Sequence, residues 1–371
     1  MNVRRIMENA IKEKNGKQNE AAILFPAPIN PKFTFIDLFA GIGGFRLALQ
    51  SLGGKCAFTS EWDKYAQVTY HANFGEVPLG DITKIQEKDV PNHDILCGGF
   101  PCQAFSIAGF RQGFEDTRGT LFFDIARILA EKRPKAFLLE NVKGLSNHKG
   151  GKTLSVILKT LRDMDYYVPT PKIIRAEDFG VPQKRERIFI VGFHKKTNVC
   201  GFKWPAPIPR EKKVGDILEK GPVSSKFYVS TQYLAALKAH RARHENKGNG
   251  FGYEIIRHDQ VANTIVIGGM GKERNLVIDH SLKDFTPVTK IVGEVNREGI
   301  RRMTPREWAR LQGYPDEFRI VCSNAQAYKQ FANSVAVPVI QAVGKQISRA
   351  LDKPSLFGED QISQRQEELL F

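Results

Sequence analysis

The chain has no CxxC pair and no cysteine–histidine spacing of the zinc type; its five cysteines, Cys56, Cys97, Cys102, Cys200 and Cys322, stand singly. That pattern predicts no metal site and no disulfide scaffold, and fits free thiols in a reducing cytoplasm. Long apolar runs are missing too. None approaches the roughly 18 residues that a membrane span requires, and Glu8, Lys12, Glu13 and Lys14 interrupt the N-terminus where a signal peptide would place its apolar core. Carboxylates are in deficit: 40 Asp and Glu against 55 Lys and Arg leave a net charge of +15 over 371 residues. Such an excess attracts polyanions, and phosphate neutralisation supplies most non-specific nucleic-acid affinity. A soluble globular protein with a nucleic-acid partner is therefore expected.

No internal repeat is present. Residues 1–31 are polar and then punctuated by Pro26, Pro28 and Pro31, which reads as a flexible arm. From Phe33 to Phe193 short apolar runs alternate with helical stretches. Strands are predicted at Phe33–Phe39, Ala57–Ser60, Asp94–Cys97, Ala136–Glu140 and Arg187–Phe193, and helices at Phe45–Gln50, Leu121–Glu131 and Leu154–Asp163. This alternation implies an α/β fold with a doubly wound, mainly parallel sheet. Composition shifts at Trp204-Pro205-Ala206-Pro207, after which Gly, Pro and positive charge predict a second, irregular, β-containing domain. Helical pattern returns at Thr304–Leu311, where Thr304 and Glu307 form a capping box, and at Val335–Ala350. The expected organisation is an arm at 1–31, a catalytic domain from 32–204 and 324–351, a second domain at 205–323, and a polar tail at 352–371.

Phe35-Ile36-Asp37-Leu38-Phe39 runs into Ala40-Gly41-Ile42-Gly43-Gly44-Phe45 and then a helix. Glycines at a strand-to-helix turn let a ligand approach free backbone N–H groups. Glu61 follows about 20 positions later, where such folds hold a ribose hydroxyl. Arg46 stands where a dinucleotide fingerprint needs glycine. Trp62 is placed to cover an adenine ring, and Asp81 to accept from its amino group. The set suits S-adenosyl-L-methionine better than NAD.

Gly98-Gly99-Phe100-Pro101-Cys102-Gln103-Ala104-Phe105-Ser106 follows a predicted strand. Pro101 stiffens the backbone before the sulfur, and the two glycines permit close approach. Cys102 thus reads as an exposed nucleophile at a carboxyl edge, where open α/β sheets keep their ligand sites. Glu140 ends a strand in Glu140-Asn141-Val142. Gln183-Lys184-Arg185-Glu186-Arg187 puts two arginines on one face of an extended segment. Phe331-Ala332-Asn333-Ser334-Val335 is expected to open the last helix, with Asn333 or Ser334 as its cap.

These landmarks, in this order, resemble the DNA (cytosine-5)-methyltransferase family over about 300 residues. The similarity is greatest to its bacterial HpaII-type CCGG modification enzymes, and continues through residues 247–253, 266–271 and 293–300. The resemblance implies a Rossmann-like methyltransferase sheet and a smaller target-recognition domain. It also implies S-adenosyl-L-methionine as cofactor, double-stranded DNA as substrate and a monomer. A cognate restriction endonuclease acting on the same site would accompany it.

Residue by residue, the resemblance makes Cys102 the thiolate that adds to cytosine and Glu140 the group facing ring N3 and the exocyclic amine. Arg187 would reach O2, with Arg185 and Gln183 in support. A carboxyl group desolvated in a closed pocket would favour the proton-donating form. Phe39, Gly41, Gly43, Glu61, Trp62, Asp81, Ile82, Leu121, Asn333 and Val335 would hold the cofactor. The target base must flip out of the duplex, with Gln103 and Ser106 on the loop that closes over it. Thr264 would touch the flipped nucleotide's phosphate. Arg257, Lys272 and Arg274 are candidates to read guanine in the major groove.

Two rivals remain. A tRNA cytosine-5 methyltransferase of the same fold would carry a second proline before Pro-Cys-Gln, whereas Phe100 stands there. A non-catalytic DNA-binding relative would lack Cys102 or Glu140. Apolar tips at Ala22-Ile23-Leu24-Phe25 and Leu369-Leu370-Phe371 suit docking on a sliding clamp or, more simply, on the protein's own surface.

Overall fold

A computed structural model describes residues 22–100, 121–268, 270–286 and 294–353. Its centre is a seven-stranded sheet of order β2-β1-β3-β4-β8-β5, with β6 also paired to β8. The strands are β1 (Phe33–Leu38), β2 (Gly54–Ser60), β3 (Ile95–Gly99), β4 (Ala136–Val142), β5 (Tyr166–Tyr167), β6 (Lys172–Arg175) and β8 (Glu186–His194). The first four pair in parallel. β8 runs antiparallel to β4, β5 and β6, so the sheet is mixed. The parallel β1–β4 core is the one expected from the sequence; period-2 patterning fixes which face a side chain takes but not strand direction, so the antiparallel β8 side was not foreseen.

Both faces are covered, which is why the strands read as continuous apolar runs. Phe35, Cys97, Leu138 and Val191 point to one face, beneath α1 (Gly44–Ser51) and α9 (Val337–Asp352). Ile36, Leu96, Leu139 and Ile190 point to the other, beneath α3 (Leu121–Lys132) and α4 (Lys152–Asp163). A third cluster joins Leu47 and Phe74 to Val214, Ile265, Trp308 and Phe331. It ties α2 (Lys64–Phe74) to α7 (Pro305–Leu311) and α8 (Asn324–Asn333), and Trp308 and Tyr328 meet edge to face at 4.7 Å.

Arg46 explains why the dinucleotide pattern fails. It is buried, pairs with Glu76 at 2.7 Å, donates to the Tyr70 hydroxyl at 3.0 Å and lies 4.7 Å over the Phe74 ring. Its guanidinium thus clamps α1 to α2, a task glycine cannot perform.

One expectation needs correction, the start of the last helix, and one region gains detail. Asn333 is the last residue of α8, and Ser334 is that helix's C-cap; α9 opens only at Val337. The region after Trp204 holds α5 (Val214–Ile217) and a 15-residue helix, α6 (Thr231–Glu245), beside short strands β9 (Ala262–Asn263), β10 (Leu276–Ile278) and β11 (Ile300–Arg302). β9 pairs in parallel with β7 (Gln183–Lys184), while β10 and β11 are antiparallel. The capping box of α7 forms as expected, with the Thr304 hydroxyl accepting from Glu307 N and the Glu307 carboxylate from Thr304 N. Among the described residues no helix is long and apolar enough to cross a membrane.

Candidate active site

At the carboxyl ends of β1, β3 and β4 opens a cleft of about 680 Å³. It gathers Phe39, Gly41, Glu61, Trp62, Glu140, Arg185, Arg187 and Asn333, which lie up to about 290 positions apart in the sequence.

The turn after β1 forms one wall. Phe39, Gly41 and Gly43 all take left-handed backbone, at φ 60°, 56° and 87°. For Phe39 this is costly and is held by the surrounding structure, a pattern that clusters at ligand sites. A Cβ on Gly41 would meet nothing within 4 Å, so its backbone faces open space. One on Gly43 would strike Phe74 at 2.3 Å. The Glu61 carboxylate accepts from Gly41 N and Asp63 N, each at 2.7 Å, which fixes the loop to the end of β2. Burial raises the Glu61 pKa against the pull of these backbone donors. Beside it Trp62 is 76% exposed, an indole left uncovered at the rim. Asp63 caps α2 and pairs with Lys329 of α8 at 2.6 Å, bracing the same rim.

The opposite wall is charged. Glu140 Oε1 lies 3.0 Å from Arg187 Nε, an ion-pair contact without hydrogen-bond alignment. A Cβ on Gly99 would come within 3.3 Å of Glu140 Oε2, so glycine there leaves that carboxylate room. Asn141 donates to the Phe100 carbonyl at 2.7 Å while its own Oδ1 accepts from Val142 N. This bond anchors the chain at the residue before Pro101. Arg185 is fully buried and donates to the carbonyls of Ala332 and Ser334 at 3.1 and 2.6 Å. Burial and then the Arg187 charge pull its guanidinium down to about 9, still above neutrality, so it remains a cation. Its Nε has no hydrogen-bond partner among the described residues. Arg185 thus joins the α8 terminus to the cleft and leaves one donor over.

Cys102, Gln103 and Ser106 lie outside the described residues. Other expected contacts fall elsewhere. Gln183 is fully buried, donating to the Leu311 carbonyl at 2.9 Å and accepting from Ile265 N at 3.1 Å. It is a joint between β7 and the later chain, and its side chain is not presented to a DNA surface. Asp81 caps a 3-10 turn, accepting from Thr83 N and Oγ1. Ile82 and Val335 are buried in the cores on the two faces of the sheet. Leu121 starts α3. None of these four lines the cleft.

Sequence reasoning did not single out Asp63, Lys329 or Gln330. Asp63 carries the only local signal, as a helix N-cap.

Of the candidate DNA contacts, Thr264 donates to the Lys184 carbonyl at 2.6 Å. Arg257 pairs with Asp259 at 3.0 Å and Arg274 with Glu254 at 2.8 Å, both on the surface. Lys272 lies 4.5 Å over the Tyr328 ring, and burial lowers its pKa. Among the described residues no group of three or more His, Cys, Asp or Glu side chains could hold a metal.

An exposed indole, a buried carboxylate and open glycine backbone suit a nucleoside-bearing ligand, and the Glu140–Arg187 pair suits a polar heterocycle. Comparison with known proteins identifies the family. The profile of C-5 cytosine-specific DNA methylases matches residues 33–349. The Type II methyltransferase M.HpaII of Haemophilus parainfluenzae is 64% identical over 335 residues, covering 88% of this chain and 94% of that protein. M.HhaI of Haemophilus parahaemolyticus is 43% identical, covering 86% and 95%. Among solved structures, the Entamoeba histolytica methyltransferase EhMeth aligns with a TM-score of 0.65 at 18% identity, covering 86% of this chain and 98% of that one. At that identity the likeness is one of fold.

Proposed function

The chain belongs to the C-5 cytosine-specific DNA methylase family, and from that premise we propose the finer reading: it methylates the inner cytosine of CCGG in double-stranded DNA, with S-adenosyl-L-methionine as donor. One observation carries the site assignment. Glu140 and Arg187 meet 3.0 Å apart in the same cleft that holds the Gly41–Glu61 contact.

Carbon 5 of cytosine is a poor nucleophile within an aromatic ring. Addition of the Cys102 thiolate to carbon 6 breaks the aromaticity and makes carbon 5 enamine-like. A free thiol is only a few per cent ionised near neutrality, so nearby positive charge from Arg185 and Arg187 favours the thiolate. Glu140 addresses N3 and the exocyclic amine, offsetting charge as the sulfur adds. Arg187, beside the Glu140 carboxylate, addresses O2. When bound, S-adenosyl-L-methionine supplies an electrophilic methyl group on a sulfonium centre. Phe39, Gly41, Glu61, Trp62 and Asn333 line the space proposed for it. Loss of the carbon-5 proton and departure of Cys102 then restore the ring. The reacting atoms are inaccessible in a stacked duplex, so the base is flipped.

The division of labour proposed is catalysis by 32–204 with 324–351 and target recognition by 205–323. Thr264, Arg257, Lys272 and Arg274 would face DNA. We further propose a cytoplasmic monomer acting on one strand at a time, alongside an endonuclease of the same target. Bisulfite sequencing of DNA from a host expressing the protein tests the reading. 5-Methylcytosine at the inner position of CCGG is expected. Methylation scattered over unrelated contexts would refute the target, and methylated tRNA with unmodified DNA would favour the RNA-modifying branch.

A further inference from the structure

A second cleft, of about 970 Å³, lies at the opposite end of the sheet, where β1 and β3 begin. Strand length puts it about 20 Å from the Glu140 cleft. Five of its lining cations, Lys32, Arg133, Lys196, Lys345 and Arg349, are exposed and make no ion pair among the described residues. Lys135 is paired with Asp94 at 2.9 Å, and only Asp352 adds another carboxylate. Burial first, then the charges of Lys196 and Arg133, pull the His194 imidazole pKa down against the smaller opposing charge of Asp165, as cations this close would. The floor is apolar, with Phe33, Leu52 and Leu351 half-buried against the core beneath. A cationic rim over an apolar floor fits an extended anionic segment with apolar anchors.

Such a segment is tethered at the cleft's edge. The last turn of α9 supplies Arg349, Leu351 and Asp352 to the lining, and the described chain leaves at Lys353. The eighteen residues 354–371 carry Glu359, Asp360, Glu367 and Glu368 against Arg365 alone, with Leu356, Phe357, Ile362, Leu369, Leu370 and Phe371 between them. Fully extended they reach about 60 Å, and a tether this short gives a local concentration of order millimolar.

We propose that residues 354–371 dock in this cleft as an intramolecular anionic ligand. Docked, they cover a cationic surface that would otherwise hold nucleic-acid phosphate away from the Glu140 cleft. The proposal is independent of the methyl-transfer reading.

Zero-length carbodiimide coupling on the full chain at low salt tests it. Amide cross-links from Glu359, Asp360, Glu367 or Glu368 to Lys32, Lys196 or Lys345 are expected in the monomer band. They should be lost at about 0.5 M salt, where the screening length falls to a few ångströms. In the E359Q/D360N/E367Q/E368Q chain, Lys196 and Lys345 should acetylate about threefold faster, with the exposed Lys55 outside the cleft unchanged. No such cross-links together with equal acetylation rates would overturn the proposal. So would protection of these lysines that appears only when a duplex is added, which would assign the cleft to DNA.

Discussion

At the scale of single residues, charge placement carries the most testable content. Glu140→Gln keeps the size of the side chain and removes its charge. Methyl transfer should fall by about 10²–10⁴-fold with duplex binding kept, as read by steady-state rates beside a binding titration. Equal loss of both would make Glu140 a structural group. Asp37 offers a different test. It is fully buried, and burial raises its pKa well above the ordinary value against the opposing pull of the Arg46 charge. Below about pH 4 both folded and unfolded chains hold that proton. Above it the unfolded chain releases the proton and the native one keeps it, so stability falls as pH rises, by up to about 1.4 kcal/mol per unit, until the folded pKa is passed. Asp37→Asn should remove this slope. Urea unfolding of both proteins between pH 5 and 7.5 checks it, and parallel curves would contradict it.

At the scale of elements, the turn between β1 and α1 separates two roles of glycine. Gly41→Ala meets no atom but must hold positive φ, at a cost of about 1–2 kcal/mol. It should fold and bind cofactor more weakly. Gly43→Ala adds the collision with Phe74, with about 1–3 kcal/mol of overpacking on top. Thermal melts should rank Gly43→Ala clearly below Gly41→Ala; the reverse order would contradict this reading of the turn. The clamp between α1 and α2 gives a second contrast. Arg46 is buried but Glu76 is half exposed. Glu76→Ala therefore strands a buried cation and should cost about 3 kcal/mol, whereas Arg46→Met removes the charge and refills the space at far less cost. Comparable losses in denaturant titrations would show that packing, and not charge, dominates.

Much of this was legible beforehand, and the gaps have physical causes. β1, β3 and β4 declared themselves because both sheet faces are buried, which makes their sequences apolar throughout. The direction of β8 was not legible, because alternation is blind to polarity. α2 escaped notice because its buried side includes Gln67, Thr69 and Asn73. α6 escaped because only Leu234 and Leu237 of its fifteen residues are buried, amid Gly- and Pro-rich neighbours. The Glu140–Arg187 contact joins β4 to β8 across the antiparallel seam, and local pattern cannot foresee a partner 47 positions away. The buried partners of Gln183 at 265 and 311 were likewise out of reach of local pattern, being about 80 and 130 positions away.

At the scale of the whole molecule, the sheet separates the mixed-charge Glu140 cleft from the cationic one, and the net charge of +15 makes DNA binding salt-dependent wherever it occurs. The proposed catalysis turns on covalent capture by one sulfur, that of Cys102. The most direct measurement incubates the protein and its methyl donor with a CCGG duplex carrying 5-fluorocytosine at the inner position, then maps any adduct by mass spectrometry. The fluorine blocks the elimination that would free the enzyme. A stable one-to-one adduct on Cys102, absent from Cys102→Ser, is the predicted result. A duplex that binds and never becomes attached to Cys102 would contradict the account.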